Sequence, residues 1–446
     1  MKNTTEIAAA LQGYDPQSLH ADQVSAFLNE LITPVSDCEE VPIVQALGRV
    51  LAQDIISPIS VPPHDNSAMD GFAFDGRQLD SAQALRLQIV GTALAGKAWS
   101  GSVGPGQCLR IMTGAILPAG LDTVVPQEFT TVDGDMVQVP AGVVQRGDNR
   151  RLLGEDLLQG RAALQKGELL TPAAIGLVAS LGIATVPVTR RLKVAYFSTG
   201  DEILSLGEPP REGAVYDSNR YTVHGMLAKL GCEVLDLGVV RDDPALLEAA
   251  FRQAANAADV VITSGGVSVG EADFTKAMMR KLGDVAFWKI AMRPGRPMAV
   301  GRIPKAKLAA SPHTDCAESY EKNSNLEAEA ALLFGLPGNP VAVMVTFLAF
   351  VRPALLRRMG ARATAPVLLQ ALSQEAIRKK PGRTEYQRGI VSLGADGRLQ
   401  VRTTGNQGSG VLSSMVQANG LIVLNHAQGN VAPGDTVQVL MLDGVM

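Results

Sequence analysis

The 446-residue chain is longer than one hydrophobic core usually organises, so two or more domains are expected. Hydrophobic residues make up 46% and charged residues 19%, with 45 Gly and 25 Pro, a folded and turn-rich composition that is neither collagen-like nor disordered. The formal charge of −4 offers polyanions no long-range attraction, so nucleic acid and anionic membranes are not expected partners, and any anion site must be local.

The start, MKNTTEIAAALQGYDPQ, has no basic segment followed by a sustained apolar one, which argues against a secretory signal and for a cytoplasmic protein. Cys38, Cys108, Cys232 and Cys316 stand far apart without CxxC spacing, which suggests neither a zinc site nor a disulfide framework. The stretch ADQVSAFLNELIT is amphipathic and reads as a helix. Residues 34 to 190 are rich in Pro, Gly and short β-branched runs and read as β modules. From Leu192 the pattern alternates as in α/β proteins: LKVAYFS, helical SNRYTVHGMLAKLG, EVLDLGVV, helical DPALLEAAFRQAANA, ADVVITS. A helix near 272 to 283, the strands VAFWKIA, PMAVG and LLFGLP, and a helix opened by Asn339-Pro340 complete the series. The apolar run 340 to 351 falls short of the roughly 20 residues that span a bilayer, so it reads as a buried helix. Polar residues at about 304 to 331 interrupt two strands and are expected to form a mobile surface insertion, carrying His313 and Cys316 away from any chemistry. After residue 361, short strands and turns suggest a small closed β domain.

The expected fold is therefore multidomain: a central α/β domain with a largely parallel sheet, flanked by N-terminal β-rich modules and a C-terminal small β-barrel. The boundaries expected are 1–191 for the N-terminal helix and modules, split into about 34–60 with 145–191 and 61–144. The α/β domain follows at 192–360 and the β domain at 361–446.

Open α/β sheets bind ligands at the carboxyl ends of their strands. The loops there read STGDE (198–202), RDD (241–243), SGGVSVGEAD (264–273) and LPGNP (336–340). Gly265, Gly266 and Gly270 suit close backbone approach to phosphate oxygens, and Glu202, Asp242 and Asp273 would be hard ligands for a Mg²⁺ bridging them. For Asp217 and Asp243 the plain reading is a helix cap. The glycine loop has no P-loop lysine and no GxGxxG spacing, so alone it also reads as a tight turn. Lys289, Arg293 and Arg296 in FWKIAMRPGRP form a cationic cluster, and GNQGSG (405–410) is a second candidate anion loop or a glycine hairpin, while Arg388 in EYQRG reads from its residue type as the partner of a carboxylate instead. In PPHDNSAMDGFA, Asp70 reads as a turn residue and His64 as structural or solvent-facing; no Ser/His/Asp set emerges.

These segments, with RIMTGA, RRLLGEDL, YDSNR, GRTEYQRG and TGNQGS, resemble in order and over almost the whole chain the MoeA-type molybdopterin molybdenumtransferases, the family that includes the E domain of gephyrin. The resemblance implies a homodimer with an active site between subunits. It implies that Glu202, Asp242 and Asp273 hold Mg²⁺, and that Thr199, Gly200 and the loop Ser264, Gly265, Gly266, Ser268 and Gly270 hold the pyrophosphate of adenylyl-molybdopterin. Asp70 and Thr113 would approach from the partner subunit, and Asp156 belongs to the same set. Lys289, Arg293 and Arg296 would face phosphate or molybdate, Arg388 and Ser409 would contact molybdate, and Pro337 and Pro340 would shape the adjacent loop. The implied reaction is Mg²⁺-dependent cleavage of adenylyl-molybdopterin, releasing AMP, with transfer of molybdenum from molybdate to the dithiolene. A molybdopterin adenylyltransferase is the implied upstream donor; molybdoenzyme apoproteins or their chaperones are the downstream acceptors. Two departures stand out: arginine at 293 and 296, where relatives often carry lysine, and the insertion at about 304 to 331. A gephyrin-like scaffold dimer and a nucleotide pyrophosphatase on the same α/β domain are the competing readings.

Overall fold

The computed structural model describes residues 2–267, 274–306, 330–362 and 366–444. Its contacts separate two compact units: Met1–Glu39 with Gly48–Ala52 and Val188–Met446, and Glu40–Leu47 with Gln53–Pro187.

The first unit is built on a six-stranded sheet. From edge to edge its strands are Glu233–Val240, Lys193–Thr199, Val260–Ser264, Ala330–Leu336, Pro297–Pro304 and Asp284–Lys289. The first four are parallel, and the last two are an antiparallel addition, with Val300 opposite Phe334 and Ala286 opposite Val300. Helices cover both faces, which is why the central strands read as unbroken apolar runs. The two-residue period sorts their side chains: Val194, Tyr196, Val260, Ile262, Leu332 and Phe334 enter one core, while Ala195, Phe197, Val261 and Leu333 enter the other. Pro244–Ala257 and Phe274–Leu282 supply Phe251 and Met279 to the second core.

Ser218–Lys229, the N-terminal helices and the long helix Pro340–Arg358 supply the first core. That long helix meets the length and apolarity of a membrane span, yet Val341 to Thr346 are all buried inside this unit. Its turn at Phe347–Val351 widens to π geometry just ahead of Pro353, whose nitrogen cannot donate to the helix.

The N-terminal helices redraw one expected boundary. Residues 1–39 were grouped with the β-rich modules, but they pack on the α/β sheet. Val24, Phe27, Leu28 and Leu31 form the buried stripe of Ala21–Leu31. Phe27 meets Trp288 edge-on at 4.9 Å, Trp288 Nε1 donates to Tyr14 Oη at 2.8 Å, and Leu19 N donates to Lys289 O at 3.1 Å. The amphipathic stripe needs an apolar surface, and the exposed face of the antiparallel edge provides it. The barrel shares this unit: Leu368–Ser373, Thr384–Leu393, Leu399–Thr403, Gly420–Leu424 and Thr436–Met441 close through the pairing of the second with the fourth. Closure leaves these five strands no free edge.

The second unit has its own six-stranded sheet, in the order Thr123–Pro126, Gly71–Phe74, Gln107–Ile111, Leu85–Ala93, Met136–Val139 and Thr131–Asp133. Phe72 and Phe74 face one core and Ala73 the other. Short pairs join Ile55–Ile56 to Ala162–Leu164 and Asn66–Ser67 to Arg150–Arg151. A helix, Pro172–Ser180, stands where only β structure was expected. Thr171 caps it by accepting from Ala174 N at 3.2 Å, and Pro172 occupies its first turn.

Candidate active site

The parallel strand order places Lys193–Thr199 between Glu233–Val240, which follows it in sequence, and Val260–Ser264. Connections leave in opposite directions on either side of such a strand, and the exits of Lys193–Thr199 and Val260–Ser264 flank a crevice. Backbone fills its walls closely. Gly265 has φ +92 and donates its N–H to Leu336 O at 3.2 Å, and a methyl group there would meet Thr199 O at 2.5 Å. Gly266, at φ +64, packs on Thr275. Thr199 Oγ1 is buried without a partner among the described residues, which leaves a hydroxyl available to a ligand at this exit. Ser264 does not present its hydroxyl in the same way: Tyr196 Oη and Ser264 Oγ share a hydrogen bond of 2.6 Å, and Ser198 Oγ lies at 3.0 Å from the phenol, forming a floor beneath the loops. Burial pushes the Tyr196 phenol up, so the floor stays neutral.

Glu202 and Asp242 stand exposed at neighbouring exits. The Glu202 carboxylate lies 2.6 Å from where a Gly200 side chain would begin, and Asp242 N donates to Asp201 Oδ1 at 3.3 Å. Arg211 and Arg241 both donate to Asp201 O, bringing two guanidinium groups to the same mouth. Asp243 is the cap it was read to be, accepting from Ala245 N and Leu246 N at 2.9 Å. Asp217 also caps, accepting from Arg220 N at 3.1 Å, but its second oxygen is buried and has no partner among the described residues. Asp273, Ser268 and Gly270 lie outside the described residues, as do His313, Cys316 and most of the insertion. No group of three metal-ligating side chains occurs among the described residues.

A second polar cluster lies at the barrel. Arg388 is 1% exposed, yet it has no carboxylate partner among the described residues. Its Nε donates to Ser414 Oγ at 2.9 Å and its Nη2 donates to the carbonyls of Asn406 and Gly408 at 3.2 and 2.9 Å. Burial, and then the charge of Arg293, pull this guanidinium down to about 10, so it remains cationic at neutral pH. Buried charges are ordinarily paired, so a cation held only by neutral acceptors is suited to an anion. Arg293 and Arg296 are exposed, and neither they nor half-buried Lys289 bond by side chain to another described residue. Gly295 between the arginines has φ +91 and sits against Thr346 Oγ1, which fixes the segment on the long helix. Ser409 O accepts from Val341 N at 3.0 Å, and Ser409 Oγ accepts from Asn339 Nδ2 at 3.0 Å, joining GNQGSG to the loop of Pro337 and Pro340.

In the second unit Asp70 Oδ1 accepts from both Thr113 N and Thr113 Oγ1 at 2.7 Å. These two bonds, the amide first, hold the carboxyl below its ordinary range. The pairing of Asn66–Ser67 with Arg150–Arg151 draws the segment of Asp70 to the one that carries Asp156, whose N donates to Val61 O at 3.1 Å. His64 is exposed and joins no cluster.

Three family models match consecutive stretches of the chain. Residues 19–182 match the MoeA N-terminal region (domain I and II), 195–357 a probable molybdopterin binding domain, and 370–442 the MoeA C-terminal region (domain IV). The molybdopterin molybdenumtransferase of Haemophilus influenzae is 40% identical over 424 residues, spanning 94% of this chain and 98% of that protein. Its Bacillus subtilis namesake is 34% identical, with 91% and 90% covered. The chain belongs to the MoeA family of molybdopterin molybdenumtransferases. It is a transferase of molybdenum cofactor biosynthesis. Among solved structures, the molybdopterin biosynthesis moeA protein from Pyrococcus horikoshii superposes with a TM-score of 0.76 at 27% identity, covering 95% of this chain and all of that one.

In this MoeA-family chain the contacts of Asn219 and Asn339 join two of the strand-exit and helix-start segments. Asn219 Nδ2 donates to Gly338 O at 2.7 Å, so the YDSNR and LPGNP segments meet. The sequence places Asn219 in a helical segment and Asn339 at a helix start, and neither pattern states that the two segments meet.

Proposed function

We propose that this transferase is a molybdenum insertase. It cleaves the phosphoanhydride of adenylyl-molybdopterin, releasing AMP, and passes molybdenum from molybdate to the dithiolene sulfurs. The observation that carries the reading is the buried, unpaired Arg388 beside a glycine loop, a pocket for a small tetrahedral oxyanion, fastened to the phosphate-suited crevice by Asn339 and Ser409. In that crevice the Gly265 backbone approaches the phosphates without a side chain in the way, and Thr199 Oγ1 supplies a hydroxyl. Lys289, Arg293 and Arg296 neutralise charge that builds on the phosphate oxygens as the bond breaks.

The hard oxygen donors Glu202 and Asp242 fit Mg²⁺, with Asp273 as the third carboxylate expected from sequence. When bound, the ion lowers the repulsion between these carboxylates and the pyrophosphate. Asp70, Thr113 and Asp156 act from the partner subunit of a homodimer. Support for association comes from the second unit's exposed apolar side chains Val44, Leu47, Ile56, Leu152 and Leu153, between 47% and 81% exposed, which suit burial against a second copy. A molybdopterin adenylyltransferase supplies the substrate, and apo-molybdoenzymes or their chaperones take the product.

The deciding experiment is AMP release from adenylyl-molybdopterin with Mg²⁺, with and without molybdate, followed by activation of a molybdenum-free apoenzyme. Molybdate-stimulated release with active apoenzyme is the expected result. Release indifferent to molybdate would make the protein a pyrophosphatase, and a folded dimer with no release would leave a scaffold.

A further inference from the structure

The loop 336–340 is held from two sides. On the sheet side Gly265 N donates to Leu336 O at 3.2 Å and Asn219 Nδ2 donates to Gly338 O at 2.7 Å. On the barrel side Asn339 Nδ2 donates to Ser409 Oγ and Val341 N to Ser409 O, both at 3.0 Å. One residue further, Gly408 O receives Arg388 Nη2 at 2.9 Å. A continuous series of hydrogen bonds therefore runs from the crevice, through one short loop, to the buried guanidinium. Stapling a loop to its neighbours would account for the two amides alone. It does not account for Asn219 Oδ1, which has no partner among the described residues on a residue only 8% exposed, two positions from Asp217, whose Oδ2 likewise has none. Buried acceptors without donors are costly, and they occur at the start of the helix that faces the loop.

We propose that Asn219 and Asn339 are positioning residues that couple the crevice to the oxyanion pocket. A substrate donor completing the acceptors at Asn219 and Asp217 fixes the loop through Gly338, and Asn339 then sets Ser409 and the carbonyl that aims Arg388. Molybdate affinity thereby depends on the state of the crevice, and the dependence is reciprocal. This rests on the insertase reading for the identity of the two ligands.

The test is calorimetric titration of the full-length protein with sodium molybdate, alongside KM for molybdate and for adenylyl-molybdopterin. Asn219→Asp keeps size and helix-start compatibility while losing the donor to Gly338; Asn339→Ala and Ser409→Ala remove the second bond from either end. Asn339→Ala is expected to weaken molybdate binding about five- to tenfold, the effect of one hydrogen bond, and, because the dependence is reciprocal, to raise KM for adenylyl-molybdopterin at saturating molybdate as well. Asn219→Asp is expected to weaken molybdate as well, although it lies on the other side of the loop. The double variant Asn219→Asp/Asn339→Ala should be no weaker than the worse single one, because the residues act in series. Unchanged molybdate affinity in Asn219→Asp, additive losses, or a fall in kcat with both KM values intact would overturn the proposal. A wild type that binds no molybdate would instead overturn the insertase reading, so the two failures are separate.

Discussion

At the scale of single residues, ionisation and charge pairing separate the functional groups from the structural ones. Asp70 holds its negative charge through the Thr113 amide and hydroxyl. Thr113→Ala removes the second but keeps the first, so the Asp70 pKa is expected to rise part of the way back toward its ordinary value; carboxyl carbon chemical shifts followed through an acid titration would show it. An unmoved titration would mean that the amide alone sets this charge. Arg388 behaves oppositely, since its surroundings disfavour its charge without removing it at neutral pH. Arg388→Ala is expected to raise the KM for molybdate at least tenfold, as loss of a charge-assisted contact does, with KM for the pterin nearly unchanged. Unchanged molybdate dependence would remove it from the pocket. Asp70 stands out in the sequence only through family resemblance, since a D-G pair alone reads as a turn. The buried isolation of Arg388 has no sequence signature, because its neutral acceptors come from a loop some 20 residues away.

Elements are where sequence patterns were most informative, and where their limits have physical causes. The strands Lys193–Thr199, Val260–Ser264 and Ala330–Leu336 were legible because two covered faces demand unbroken apolar runs. Pro172–Ser180 was not, because a helix apolar nearly all round shows no polar face to set against a buried one. The turn after Val260–Ser264 carries a steric prediction. Gly265→Ala would bring a methyl group against Thr199 O in a left-handed backbone region, at a cost of about 1–3 kcal/mol. Urea unfolding should show that loss together with failure of AMP release. The other end of this strand makes an electrostatic one. Asp259 accepts from Arg190 Nη1 and Nη2 at 2.7 and 2.9 Å and from Lys193 N at 2.9 Å. Burial alone would raise its pKa, but the guanidinium and the amide outweigh it and leave it lowered. Because the folded value lies below the unfolded one, this contribution is complete above about pH 4 and is lost as pH falls through the folded value. Asp259→Asn is expected to be less stable at neutral pH by about 1–3 kcal/mol and to lose less on acidification. Parallel urea midpoints for the two proteins from pH 7 to pH 3 would contradict it.

For the whole molecule, the prediction with most reach concerns a site shared between copies. If Asp70 completes the crevice of a partner, Asp70→Ala and Glu202→Gln each inactivate both sites of a homodimer, but a mixed dimer regains one. Exchange of equal amounts should restore roughly a quarter of wild-type sites, as the statistics of a two-fold assembly require. No recovery after demonstrated subunit exchange would place Asp70 and Glu202 in one subunit or remove one of them. The order of β-rich, α/β and β segments was readable along the chain, whereas the placement of residues 1–39 was not, because an amphipathic helix declares that it has a partner and not which one. That placement has a consequence for synthesis. Thr4 bonds to Asp284, 280 residues further on, and Phe27 packs on Trp288. At ribosomal rates of about 5–20 residues per second, Phe27 emerges about 13–52 s before Trp288, its docking surface, exists. Throughout that interval the nascent chain exposes Phe27, Leu28 and Leu31, so this early-translated segment is among the last to reach its native neighbours.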